Sequence, residues 1–281
     1  MFHNFRIRSA TVADKASINK LINSSLYVHR HLDWRTPIEW LGKNPYWVME
    51  GQTGIRSALS CVPEPEGVGW VRLYATSIFH VLDEDWNDLF AKIIEFFHQN
   101  PIKLLPAMGI HEWFSDLVVR QGFEFLQDVV VLKWDNLHLS IPPKIPISIR
   151  PAVEKDIQAI TEVDAQSFDP LWQIPISAMV LALKQAAYTT VAELDGKIIG
   201  YQLSTCKLRN AHLARLAVLP SYQRQSIGQF LVRDMISYFS TSGIDEITVN
   251  TQGDNQASLA LYGKLNFQLT GDRYPVFLYP M

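Results

Sequence analysis

Apolar residues in the second half of the chain recur with two periods, and the switches between them predict alternating strands and helices. Period-two stretches predict a strand at Ile147–Pro151, a hairpin of Thr189–Leu194 and Lys197–Cys206 across Asp195-Gly196, and strands at His212–Leu219 and Glu246–Thr251. Asp-Gly at that point is a strong two-residue hairpin turn. Helical spacing predicts helices at Glu154–Gln166, Ile176–Gln185 and Gly228–Ser240, the last running through Leu231, Met235 and Phe239. A further helix is expected at Asn255–Leu265, and short strands around Gln268–Arg273 and Val276–Leu278.

The first half repeats this pattern. Ile7-Arg8-Ser9-Ala10 matches Ile149-Arg150-Pro151-Ala152 at an offset of 142, and Asp14 and Ile18 match Asp156 and Ile160 at the same offset. Arg72-Leu73 matches Arg215-Leu216 at 143, and Gly122-Phe123 matches Asn266-Phe267 at 144. So small a drift over so long a span predicts two domains of one fold. Between them Leu139–Ile147, LSIPPKIPI, reads as a stiff extended connector. The expected division is a first domain at 1–138, a linker at 139–147 and a second domain at 148–281.

Composition narrows the function class. The 281 residues are 48% hydrophobic and 19% charged, enough for real cores and unlike a disordered chain. A net charge of −3 leaves no electrostatic footprint for nucleic acid. No run approaches the ~20 apolar residues of a membrane span, and the N-terminus lacks a signal-peptide core. Cys61 and Cys206 are the only cysteines, and no Cys or His cluster has metal-ligand spacing, so no metal is expected. Two free thiols in the cytoplasm are the default expectation.

The chemistry concentrates between Leu213 and Gly228, LARLAVLPSYQRQSIG. A strand, a turn at Leu219-Pro220 and a polar loop lead into a helix N-terminus. The first N–H groups of a helix lack intrahelical partners, and the helix dipole favours an anion there. Arg224 adds a guanidinium fork, and Gly228 permits close backbone approach. No P-loop or dinucleotide fingerprint is present.

The run resembles the acyl-CoA loop of the GNAT family of N-acetyltransferases, Gln/Arg-x-x-Gly-x-Gly/Ala. Gln223 stands at its first position and Gly228 at its last, while Ser226 replaces the first glycine. The segment Gly253–Phe267, GDNQASLALYGKLNF, is similar to a second family element. Asn255 and Tyr262 are seven apart, about two helical turns, so they share a side, and Asn266-Phe267 closes the helix. The resemblance covers residues 148–281 and implies an α/β fold (α+β mixed). Two tandem domains follow, each a mixed, mostly antiparallel sheet flanked by helices.

It also implies acetyl-CoA as co-substrate, attacked directly by an amine in a ternary complex. The implied cofactor-binding residues are Leu216, Ala217 and Val218 on the strand end, Gln223, Arg224, Gln225, Ser226, Ile227, Gly228 and Gln229 at the loop, and Asn255. Val218 N–H is the candidate oxyanion donor, and Tyr262 the acid for the departing thiolate. Some members carry a basic Glu six residues before the Val218 position, where this chain has His212. Strand alternation would place His212, Ala214, Leu216 and Val218 on one face. Ribosomal-protein N-terminal acetylating members carry a Glu five residues before the helix Asn, and here that residue is Asn250. Glu193 is a second, weaker candidate base.

The first half lacks these features. Opposite the loop it carries His80–Asp85, HVLDED, where three acids at a helix start complement the dipole and repel a pyrophosphate. His111 and Val118 stand opposite Asn255 and Tyr262, so the first domain is expected to be non-catalytic. The expected activity is N-acetylation of a small-molecule or peptide amine, with monomer and homodimer both open. The alternative is an acyl-CoA-binding regulator without turnover, favoured by Ser226 and Asn250.

Overall fold

The computed structural model describes residues 5–77, 82–135, 146–244 and 246–281. In chain order the first half contains β1 (Arg6–Ser9), α1 (Lys15–Ser24), β2 (Tyr27–Arg30), β3 (Tyr46–Gly51), β4 (Gly54–Ser60), β5 (Leu73–Thr76), α2 (Leu82–Gln99), β6 (Leu105–Met108), α3 (Glu112–Arg120) and β7 (Glu124–Trp134). The second half contains β8 (Ser148–Pro151), α4 (Ile157–Ser167), α5 (Ile176–Gln185), β9 (Tyr188–Leu194), β10 (Lys197–Lys207), β11 (Asn210–Val218), α6 (Ile227–Thr241), β12 (Glu246–Gln252), α7 (Gln256–Lys264) and β13 (Phe267–Tyr279). The two short strands expected near the C-terminus are one continuous strand, β13. Residues 139–145 of the proline-rich segment, and His80 and Val81 of the acidic segment, lie outside the described residues.

These elements form two compact units, Met1–Leu126 with Tyr274–Met281, and Gln127–Arg273. Their boundaries follow strands rather than the proline-rich segment. Most of β7 belongs to the second unit, where it pairs antiparallel with β12 (Thr248↔Lys133 to Gln252↔Val129). The end of β13 belongs to the first, where it pairs antiparallel with β6 (Val276↔Met108 to Tyr279↔Leu105). Each unit is thus completed by a strand from the other half of the sequence.

In the first unit the five-stranded order is β1-β3-β4-β5-β2. Alternation sends Tyr46, Val48 and Ala58 into a core with Ile18, Leu21 and Ile22 of α1. Met49 and Leu59 point the other way, into a core with Trp86, Phe90 and Phe97 of α2 and Phe114 of α3. In the second unit the order is β13-β7-β12-β11-β10-β9-β8. One core there joins Val232, Met235 and Phe239 of α6, Tyr262 of α7, and Ala211, Leu213, Ile247 and Val249 of the strands. Asp195 and Gly196 both have positive φ, 49° and 77°, as a type I′ hairpin turn requires.

The repeat extends to side-chain chemistry. Arg8 donates to Asp14 at 2.8 Å and to Glu50 at 2.9 Å, while Arg150 donates to Asp156 at 2.6 Å and to Glu193 at 2.9 Å. Asp14 and Asp156 each also accept the backbone N–H that opens the following helical turn, from Thr11 and Val153. The guanidinium beside each carboxylate depresses its pKa, for Asp14 to about 2. The second matched pair is also alike. Arg72 is paired with Asp33 and lies 4.1 Å from the Trp40 ring centroid. Arg215 donates to Asp164 at 2.7 Å and lies 3.5 Å from the Phe168 centroid. Conserving a buried cation and its carboxylate in both units fits their cost, since removing either partner strands a buried charge.

Candidate active site

The site in the second unit is built on a parting of two strands. β11 and β12 pair in parallel only from Asn210↔Glu246 to Leu213↔Val249. Beyond that rung β11 continues along β10 (Arg215↔Leu203 to Val218↔Gly200), while Asn250–Gln252 of β12 stay with β7. The inner edges of the two strands are therefore unpaired with each other from Ala214 and Asn250 onward. Leu219 N–H donates to Ile199 O at 2.9 Å, which makes Val218↔Gly200 a non-hydrogen-bonded pair. The Val218 backbone groups consequently point away from β10, toward the gap, and by alternation so do those of Leu216. Val218 C=O is already held, accepting from Ser167 Oγ at 3.2 Å and Gln223 Nε2 at 3.0 Å. Its N–H remains directed into the gap. Gln223 thus fastens the loop to the strand end, and Ser167 at the end of α4 is a contributor with no signal of its own in the sequence.

The loop reaches α6 through two left-handed residues, Arg224 at φ 59° and Ser226 at φ 65°. Ser226 is the N-cap, and its side chain makes no cap bond. Phe230 N–H is the first to bond back, to Ser226 O at 3.1 Å, leaving the N–H groups of Ile227, Gly228 and Gln229 without intrahelical acceptors. A Cβ built on Gly228 would lie 3.2 Å from Leu261 Cδ2, 3.8 Å from Leu216 Cδ2 and 3.9 Å from Val218 Cγ2. The start of α6, the free end of β11 and the flank of α7 therefore converge at Gly228, a cradle fit for an extended phosphate-bearing ligand.

Asn255 caps α7, its Oδ1 accepting from Ser258 N–H at 3.0 Å. Tyr262 is 4% exposed and packs 5.7 Å from the Phe267 ring. Its hydroxyl has no hydrogen-bond partner among the described residues, and burial raises its pKa above the usual tyrosine value. The phenol is held protonated at neutral pH.

His212 is placed differently from the expectation. Leu203↔Arg215 is followed by Ser204↔Leu213, so Ala214 is an extra residue, a β-bulge in β11. A bulge inverts the alternation beyond it. Leu213 and Leu216, three apart, accordingly pack against the same core, while Arg215 meets α4. His212 therefore lies on the face opposite Leu216 and Val218, not with them. There its Nδ1 is 2.9 Å from Thr248 Oγ1, and burial lowers its pKa, keeping the ring neutral. Glu193 is engaged by Arg150, and β10 separates its strand from β11.

Among the described residues of the first unit the gap has no counterpart. The edge of β5 matching Leu216–Val218 is filled by β2, paired antiparallel from Tyr27↔Thr76 to Arg30↔Leu73. At the start of α2 Asp85 is fully buried, paired with Arg56 and accepting from Thr76 Oγ1 at 2.7 Å. Its role is thus more than dipole complementation: an internal carboxylate stands at the helix start.

A model of the acetyltransferase (GNAT) family matches residues 157–267. The chain is 31% identical over 134 residues to N-alpha-acetyltransferase RimI of Mycobacterium tuberculosis, a match covering 46% of this chain and 82% of that protein. It is 26% identical over 183 residues to mycothiol acetyltransferase of Amycolatopsis mediterranei, covering 57% of this chain and 60% of that one. A tandem GNAT protein from the clavulanic acid biosynthesis pathway superposes with a TM-score of 0.68 at 13% identity, covering 98% of each chain, which shows the same fold throughout.

Proposed function

The chain belongs to the acetyltransferase (GNAT) family, whose members depend on acetyl-CoA, and on that premise we propose that its second unit acetylates a primary amine of a small molecule or peptide. The observation that carries this reading is the parting of β11 from β12 after Leu213↔Val249, beside a helix start with three free N–H groups. Acetyl-CoA supplies the activated thioester carbonyl. In this reading the N–H groups of Ile227, Gly228 and Gln229 hold the pyrophosphate, with Arg224 and Gln225 lining the loop. Gln223 fixes the loop against Val218, and the backbone of Leu216–Val218 lines up the extended arm.

Val218 N–H stabilises the developing oxyanion, a contribution of about 3 kcal/mol for one well-placed donor. Tyr262, kept protonated by burial, gives a proton to the departing sulfur. Asn255 positions Tyr262 by capping its helix. The bulge at Ala214 turns His212 to the opposite side of the strand pair from Gly228. Neutral His212 then takes the ammonium proton of an amine arriving on that face, directly or through water. Asn250 cannot serve as base, which weighs against the ribosomal-protein class of acceptor. The first unit, its strand edge filled by β2, serves as a non-catalytic domain.

Incubation with acetyl-CoA and a panel of amines, reading free thiol, tests the proposal. Amine-dependent thiol release is expected. Calorimetric binding of acetyl-CoA without release for any amine would replace the transferase reading with a regulatory one. Absence of binding would overturn both.

A further inference from the structure

Among the described residues, the strand face that meets an amine arriving beside His212 carries no unpaired charge. Thr248, Asn250 and Gln252 alternate along β12 with the core residues Ile247 and Val249. They therefore share the face of His212, whose Nδ1 is 2.9 Å from Thr248 Oγ1. Register puts Val131 and Val129 of β7 opposite Asn250 and Gln252. The charges on this side are spent on each other, Lys133 with Glu246 at 2.7 Å and Arg215 with Asp164 at 2.7 Å. Asp169 and Asp254 stand in loops and are exposed to water.

Asn250 stands at the lip of the gap. It is the first residue of β12 beyond the last rung, Leu213↔Val249. Its side chain is half-buried and has no hydrogen-bond partner among the described residues. A carboxamide offers two donors and one acceptor without charge. Gln252, two residues on, meets Asn255 Nδ2 at 3.5 Å through its Oε1, and its own Nε2 is unengaged among the described residues. A second ammonium or a carboxylate brought here sheds hydration and finds no counter-ion. An amide or hydroxyl exchanges water for protein hydrogen bonds at little cost.

We propose that Asn250 sets the acceptor's chemistry: the amine is borne on an uncharged, hydrogen-bonding body whose polar group the Asn250 carboxamide holds, with Gln252 next in line. Diamines, and amines that also carry a carboxylate, are discriminated against at this residue. The inference rests on the transferase reading above and names the acceptor class within it. His212 takes the proton of the amine, and Asn250 reads the group beside it.

Three matched amines test it with acetyl-CoA and thiol release on the full chain: 4-aminobutyramide, 1,4-diaminobutane and 4-aminobutyrate, alike in length but neutral, cationic and anionic at the far end. The unsubstituted chain should use the carboxamide with a kcat/KM about 10-fold or more above the other two. Asn250→Asp, nearly isosteric, should shift the ratio of diamine to carboxamide about 10-fold or more toward the diamine, with calorimetric acetyl-CoA affinity unchanged. A new carboxylate acting only as a base would raise all three rates alike, so the ratio isolates recognition. Gln252→Glu should move the ratio the same way by less, and it serves if Asn250→Asp fails to fold. Equal or better use of the diamine by the unsubstituted chain would overturn the inference, as would an unmoved ratio in folded variants. Release with other amines of the panel but none of these three would overturn it and leave the transferase reading standing. No release with any amine would remove both.

Discussion

Replacing Ser226 by glycine should stabilise the second unit without disturbing its site. Ser226 is held at φ 65°, ψ 5°, where a non-glycine residue carries about 1–2 kcal/mol of strain. Its hydroxyl returns nothing to the fold, since it makes no cap bond at the start of α6. Glycine removes the strain but adds unfolded-state freedom of about 0.4–1 kcal/mol. The net gain is roughly 0.5–1 kcal/mol. With a urea dependence of about 2 kcal/mol per molar, the midpoint should rise by about 0.2–0.5 M. Equilibrium unfolding with and without acetyl-CoA is the assay, because the ligand-shifted transition identifies the second unit. Acetyl-CoA affinity should hold or tighten, as the free N–H groups at 227–229 are untouched. A lower midpoint in Ser226→Gly, or loss of binding in a folded variant, would refute the reasoning, since the serine side chain would then be holding the loop or the ligand itself.

Acetyl-CoA should bind with a calorimetric stoichiometry near one per chain, because β2 fills the matching edge of the first unit; a value near two would show that β2 yields. Tyr262→Phe should leave stability and affinity nearly unchanged, as the hydroxyl has no partner among the described residues, yet lower turnover by ~10²–10⁴-fold; unchanged turnover would make Tyr262 a packing residue. For His212, burial lowers the folded pKa, so the charged, inactive ring forms only on the acid side of its usual range. Activity should rise with pH through a limb below about 6.5 and then level off, and His212→Gln should abolish that limb. A limb persisting in the variant would assign the base to another group.

Much of this protein is legible in the order of its residues. The periodicities place α5 at Ile176–Gln185 and the ends of α6 and α7 within a residue, while α4 begins three residues after the expected Glu154, because helix and strand spacings are local. The repeat of Arg8/Arg150 and Asp14/Asp156 is visible in the sequence, and the structure adds that each arginine is ion-paired with its aspartate in both units. The phosphate loop and the Asn255–Tyr262 helix are likewise local motifs.

What the tertiary structure alone decided depends on partners distant in sequence. Nothing local marks Ala214 as the extra residue; the count of residues on β10 against β11 does, and it moves His212 to the other face. The same holds for the gap beyond Leu213↔Val249, for the exchange of β7 and β13 between units, and for β2 filling the edge of β5. Strand register and edge occupancy are settled by which long-range pairing buries the most apolar surface, and a sequence pattern read one segment at a time carries no record of that competition.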